Sequence, residues 1–167
     1  AGAGMTPQGL RNEDALELQS AASLRLPYEL VNPCCLPSAT SPHLAARRAG
    51  ECIDIPAIKS AFDRICAQTD AIVVEGAGGW LAPIGEPARP GEAGPTLEDI
   101  ALALGLPVLL VVGVRLGCIS HALLTAEAIR RSGLPLAGWV ANPIDPDFAD
   151  REDYVDSLRL RLPAPLL

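Results

Sequence analysis

Apolar positions follow two rhythms along this chain. The continuous run Ile72-Val73-Val74 reads as a strand buried on both faces, as in parallel sheets, Leu106 to Gly113 as a second buried strand and Leu136 to Ala141 as a third strand. Elsewhere the apolar residues recur at helical spacing. Asn12 is a suitable N-cap for a helix carrying Ala15, Leu16, Leu18, Ala21 and Ala22, with Asp14 in its first turn. Ser41-Pro42-His43 reads as an N-cap with proline at the first helical position, opening a short helix through Ala46. Pro56 opens a second helix whose Ile58, Ala61, Phe62 and Ile65 face inward. Thr96 caps a helix from Leu97 to Leu104, with Asp99 completing a weak capping-box pattern. A long helix from Cys118 to Arg131 ends in arginines with Gly133 just beyond, and a last one covers Arg151 to Leu160. Ala1 to Gly9 reads as a glycine-rich loop, Val31-Asn32-Pro33 as extended chain, and Pro83 to Pro95 as a flexible surface excursion.

Strand and helix alternate three times with short connections, which predicts a parallel, doubly wound α/β arrangement. Three strands make a small sheet, so the fold is expected to be incomplete. At 167 residues the chain is one domain by size. Its 49% hydrophobic and 4% aromatic content specifies a core of Ala, Leu, Val and Ile, which suits helices packed on a parallel sheet. A formal charge of -7 argues against a general nucleic-acid or acidic-membrane binder. Gly105 and Pro107 interrupt the longest apolar run before it reaches membrane-spanning length, and the N-terminus lacks the pattern of a signal peptide. Cys34, Cys35, Cys52, Cys66 and Cys118 have no metal-ligand spacing, and their odd number suits free thiols in a reducing cytosol. A cytoplasmic location is therefore expected.

Candidate chemistry begins at Glu75-Gly76-Ala77-Gly78-Gly79, placed where the first apolar run ends. Ligands of open α/β sheets bind at the carboxyl ends of strands. A carboxylate there can hold Mg²⁺ while glycine amides approach phosphate oxygens. The plainer alternative is a glycine-rich turn with Glu75 solvated. Asp14 admits a plainer alternative too, a favourable interaction with the helix dipole. Gly117 to Ser120 form a helix start whose free N–H groups suit an anion. His43 reads as a structural hydrogen-bonding residue, and Lys59, the only lysine, as a solvated surface charge.

Taken together, the loops resemble those of the dethiobiotin synthetases, ATP-dependent enzymes of biotin synthesis with a three-layer, parallel-sheet P-loop NTPase fold. The matching segments are Thr6-Pro-Gln-Gly-Leu-Arg-Asn-Glu-Asp14, Ser41-Pro42-His43, Val74-Glu-Gly-Ala-Gly-Gly-Trp80 and Val111-Val-Gly-Val-Arg-Leu-Gly-Cys-Ile-Ser-His-Ala122, followed by Leu136-Ala-Gly-Trp-Val-Ala-Asn142 and Pro163-Ala-Pro-Leu-Leu167. They cover nearly the whole chain as a single domain, residues 83–95 standing out as an inserted surface loop. The resemblance implies Mg²⁺- and ATP-dependent closure of the ureido ring from CO₂ and 7,8-diaminopelargonic acid. It also implies that Asp14 and Glu75 are metal ligands and contact the nucleotide, and that Gly76, Ala77 and Gly78 line the ATP and carbamate side. Asn142 would bond the adenine edge with Pro143 beside it. Gly117, Cys118, Ile119 and Ser120 would take the substrate carboxylate across a homodimer interface, helped by Tyr154, while Ala1 occupies a substrate-binding hydroxyl's position.

The chain departs from this family at both ends. The family's phosphate-binding Gly-Lys-Thr loop and a further Lys-Pro-Val segment are not among these residues, and no catalytic lysine is assigned here. The expectation is a chain incomplete at both ends and inactive by itself, because without that loop's amides and lysine the charge on a transferring phosphoryl group has little to stabilise it. Two other readings exist. A cobyrinic acid diamide synthetase-like amidoligase would need a glutamine-hydrolysing domain. A non-catalytic P-loop-like partner-binding module would leave Asp14, Glu75 and Asn142 without a reason for their positions.

Overall fold

The computed structural model of the protein describes residues 2–167, and the chain divides into two compact units, Ala1–Leu104 and Gly105–Leu167. In the first, β1 (Gly4–Thr6) and β2 (Gly9–Arg11) form an antiparallel hairpin where a loop was expected. The strands are too short to show an alternating pattern. The Thr6 hydroxyl donates to the Gly9 carbonyl at 2.7 Å and accepts from Gln8 N–H at 3.2 Å, and Gly9 takes φ +99. These features close the turn.

Helix α1 (Glu13–Ala21) starts as expected: Asn12 Oδ1 accepts from Ala15 N–H at 3.1 Å, with Glu13 and Asp14 in the first turn. Its apolar face is not a core face, because only Ala15 is buried while Leu16 and Leu18 are 40% and 43% exposed. Helix α2 (Tyr28–Val31) occupies part of the segment read as extended; Pro27 precedes it, and Tyr28 and Leu30 are buried. Helix α3 (Pro42–Ala49) runs past Ala46 to Gly50, whose φ of +70 ends it. Ser41 makes no capping bond there; its hydroxyl pairs with His43 Nδ1 at 3.0 Å. Ala45 and Ala46 of α3 join Leu36, Cys34 and Ile53 in a small core. Burial pushes the Cys34 thiol up, with the Glu51 charge adding to it. Helix α4 (Ile55–Cys66) is capped by Asp54, and its Lys59 is a partly exposed charge paired with Asp63. In α5 (Leu97–Leu104) the reach-back half of the capping box forms, as Asp99 Oδ2 accepts from Thr96 N–H at 2.7 Å.

Ile72–Val74 is not a strand, which corrects the reading of it as a buried one: Val73 is 89% and Val74 45% exposed. An extended segment joins a sheet only where a neighbour takes its N–H and C=O groups. Among the described residues no strand pairs with 72–74. The excursion after it is tied at its base. Pro83 bridges Thr96, Ile84 N–H donates to Pro95 O at 2.9 Å, and Ile84 is buried.

The second unit is a βαβ crossover followed by a helix. Strands β3 (Val108–Gly113) and β4 (Leu136–Asn142) pair in parallel, with Leu110 opposite Trp139 and Gly113 opposite Asn142. Helix α6 (Cys118–Ser132) connects them, entered through Gly117 at φ +90 and left through Gly133 at φ +85, and α7 (Arg151–Arg159) follows. Pro165 O accepts from Trp139 N–H at 2.9 Å, and Leu167 N–H donates to Trp139 O at 3.0 Å, so the last residues bridge β4. The core gathers Val112, Cys118, Ala122, Ala126, Trp139, Leu158 and Leu162. The expected three-stranded sheet is thus a parallel pair. Strand β3 also alternates rather than being buried on both faces, with Leu109 47% and Val111 59% exposed. Among the described residues no helix is long and apolar enough to cross a membrane, and all five cysteines are free.

Two measurements test this packing. Leu158 is fully buried, so Leu158→Ala should lose about 2–5 kcal/mol in urea unfolding of the second unit. On α6, hydrogen bonds from Arg130 and Arg131 hold Glu127 down from 4.5 to about 2. A lowered carboxylate pKa stabilises above the unfolded value, and that contribution is lost as pH falls through the folded one. The stability difference between the parent and Glu127→Gln should be constant above about pH 4.5 and shrink towards pH 2.

Candidate functional site

In the first unit the glycine loop faces the turn before α3 across an open cavity of about 440 Å³. Ala39, Thr40, Ser41 and Pro42 line one side, and Ala77, Gly78, Ala82 and Pro83 the other. Gly78 and Gly79 take φ of +91 and +103, a backbone that side chains resist. A Cβ at Gly78 would lie 3.2 Å from Ala82 Cβ and 3.8 Å from Pro42 Cδ, so a side chain would crowd the cavity wall. The loop is fastened beyond the glycines. Trp80 Nε1 donates to Glu98 Oε2 at 3.1 Å while Trp80 O accepts from Glu98 N–H at 3.1 Å. The structure thus brings Ala77 and Gly78 together with Ser41-Pro42, whose sequence signal had suggested only a helix start. Glu98 had no sequence signal as a loop anchor.

Asp14 and Glu75 are exposed, and neither has a hydrogen-bond or ion-pair partner among the described residues. Their oxygens are free to accept a cation. No group of three or more His, Cys, Asp or Glu side chains with metal-holding geometry forms among the described residues. Mg²⁺ commonly takes one or two carboxylates and completes its shell with water and phosphate oxygens, and each of these unpaired carboxylates offers the hard oxygen donors it takes. Gly76 is exposed beside Leu97, which a Cβ would meet at 3.6 Å.

The remaining candidates belong to the second unit, at the carboxyl end of the parallel pair. Asn142 ends β4 and its carbonyl accepts from Val114 N–H at 2.7 Å, which ties it to the turn leading into α6. Pro143 is exposed directly after it. At the helix start Gly117 and Ser120 are exposed and Ile119 packs against the core. Cys118 corrects the picture of a fully free turn: its N–H donates to Arg115 O at 3.1 Å, and its side chain is buried in the core. Tyr154 packs on the same core, its ring edge-on to Phe148 at a centroid distance of 4.8 Å. Arg151 donates from Nη2 to the Asp145 and Pro146 carbonyls at 3.2 Å each, holding the turn beyond Asn142-Pro143. Nothing in the sequence marked Arg151 for that task. Ala1 lies outside the described residues.

A family profile described as an AAA domain matches residues 5–167. A protein from Cellvibrio japonicus named ATP-dependent dethiobiotin synthetase BioD is 48% identical over 167 residues, covering 100% of this chain and 70% of its own. Proteins of the same name from Pseudomonas paraeruginosa and Pseudomonas aeruginosa are 50% and 51% identical, over 100% and 97% of this chain and 71% and 68% of theirs. The chain belongs to the dethiobiotin synthetase family. The dethiobiotin synthetase resemblance of the loops is therefore one of the whole chain, and the α/β, P-loop-like class agrees with it.

The glycine loop of this dethiobiotin synthetase relative gives a direct comparison. Gly79→Ala meets nothing within 4 Å, so it should lose only the left-handed backbone term of about 1–2 kcal/mol in thermal unfolding. Gly78→Ala should lose more, because it adds the 3.2 Å approach to Ala82. Equal losses would show that the cavity wall yields freely.

Proposed function

We propose that this protein closes the ureido ring of dethiobiotin from 7,8-diaminopelargonic acid and CO₂, using ATP and Mg²⁺. The observation that carries the reading is identity of 45–51% to proteins named ATP-dependent dethiobiotin synthetase, over 93–100% of this chain. Two unpaired carboxylates and a glycine loop beside an open cavity support it.

In this reading one amine of the substrate attacks CO₂ and loses a proton, giving a carbamate. A carbamate oxygen then takes the γ-phosphoryl group of ATP, and ADP leaves. The second amine attacks the carbonyl carbon of the mixed anhydride, and phosphate departs as the ring closes. Asp14 and Glu75 hold Mg²⁺, which neutralises charge on the phosphate oxygens when bound. Gly76, Ala77 and Gly78 bring backbone close to the phosphates and the carbamate, where a Cβ at Gly78 would intrude. The Asn142 amide reads the adenine edge, with Pro143 against the base. The protein is read as a cytoplasmic homodimer in which Gly117–Ser120 and Tyr154 of one subunit serve substrate bound to the other. With the Cys118 N–H already bonded, the neighbouring amides and the Ser120 hydroxyl are the donors left for the substrate carboxylate. Residues 83–95 are read as an inserted surface loop, of which Pro83 borders the cavity.

The test uses the protein expressed from its whole reading frame, supplied with 7,8-diaminopelargonic acid, bicarbonate and MgATP. ADP and dethiobiotin should appear in equal amounts. Asp14→Asn and Glu75→Gln should each lower kcat/KM on the order of 10²-fold, the range seen when one charge-stabilising group is removed. Absence of substrate-dependent ADP release from the parent protein would overturn the reading.

A further inference from the structure

Helix α1 carries Asp14 but has little packing to hold it, since it buries only Ala15 and leaves Leu16 and Leu18 exposed. Its start is fixed by polar contacts. The Asn12 backbone N–H donates to the Tyr28 hydroxyl at 2.8 Å, and Asn32 Nδ2 donates to the same oxygen at 2.9 Å. A phenol oxygen has two acceptor positions and one proton. Both acceptor positions are taken by N–H groups, so the phenol proton points to its remaining neighbour, Cys35 Sγ, at 3.3 Å. The thiol proton in turn goes to the Leu10 carbonyl on β2 at 3.6 Å.

We infer that Tyr28 is a positioning residue for the metal-binding turn of α1, acting through a one-way hydrogen-bond chain from Asn12 N–H through Tyr28 and Cys35 to Leu10 O. The inference rests on the reading of Asp14 as a Mg²⁺ ligand. Tyr28 is 6% exposed, and the Arg11 guanidinium lies 4.1 Å from its ring centroid, so the ring itself is held. Arg11 also pairs with Glu29 at 3.2 Å, which closes the outer side. Asn12 is then fixed by its backbone on Tyr28 and by its side chain on Ala15 N–H. Asp14 stands two residues beyond that anchor. An exposed carboxylate on a weakly packed helix is thereby given a defined origin without a charged group being buried.

The protein from the whole reading frame tests this with Tyr28→Phe, which removes the hydroxyl and keeps the ring. Amides of Asn12 to Ala15 should exchange with deuterium faster than in the parent, while those of α4 and α7 are unchanged. Mn²⁺ affinity in the presence of ATP, read by electron paramagnetic resonance, should fall about tenfold, the lower end of losses from groups that orient metal ligands. Cys35→Ser keeps a donor and an acceptor and should retain parent behaviour; Cys35→Ala should move in the direction of Tyr28→Phe. That alanine variant also carries the test if Tyr28→Phe does not fold. Leu158→Val, a destabilised control in the other unit, should leave Mn²⁺ affinity untouched. Parent-like exchange and metal affinity in both Tyr28→Phe and Cys35→Ala would overturn the inference. Asp14→Asn separates the two failures. If it leaves Mn²⁺ affinity intact, the metal role of Asp14 falls and the inference falls with it, whatever the exchange shows.

Discussion

An extended backbone makes no hydrogen bonds with itself, so each of its N–H and C=O groups must find a neighbouring strand, a side chain or water. Much of this molecule follows from that constraint. Strands β3 and β4 meet it for each other, and Pro165–Leu167 meets it for the other edge of Trp139. With its backbone bonded on both sides, Trp139 is fully buried, and α6 and α7 pack around it. Ile72–Val74 has an equally apolar sequence but no partner strand among the described residues, and it lies exposed. Helices are free of this dependence because their ladder is internal. Every helix the apolar spacing predicted is present for that reason.

The candidate chemistry is arranged on turns, and each turn is tied down by a different device. The glycine loop ends on Trp80, which is clamped at two points by Glu98. The turn after Asn142 is held by Arg151 through two carbonyls. The start of α1 is held by Tyr28. The backbone beside exposed Asp14 and Pro143 is fixed in this way, while exposed Glu75 and Gly76 precede the Trp80 clamp by five and four residues.

Local chemistry was legible in the sequence where one residue decides the outcome. Asn12 as a cap, Asp99 reaching back to Thr96 and Gly133 in the left-handed region all follow from residue type and position. Lys59 as a surface charge is equally local. What was not legible is either too short to leave an apolar pattern or depends on partners distant in sequence. The β1–β2 hairpin has three residues per strand and is held by the Thr6–Gly9 turn, while α2 is one turn long and owes its place to buried Tyr28 and Leu30. The family could be read from the order of several loops, although no single loop was decisive. The site residues named from that resemblance are loop residues with recognisable neighbours. Their supports were missed because Tyr28 lies 14 residues from Asp14, Glu98 23 from Glu75 and Arg151 nine from Asn142, and each acts at least partly through backbone atoms that leave no sequence pattern.

The same reasoning separates the two kinds of carboxylate on this surface. Glu127 is bound by two arginines on its own helix, and its pKa falls to about 2. Its charge is already answered, so it has nothing left to offer a cation. Asp14 and Glu75 have no such partner among the described residues, and both are exposed. For a hard cation that keeps part of its water shell, an unpaired carboxylate held at the end of a fixed backbone is the better ligand. In the proposed reading of Asp14 as a Mg²⁺ ligand, fixing the backbone through a neutral phenol–thiol chain, with no cation among the described residues bonded to Asp14 itself, leaves its charge available to the metal.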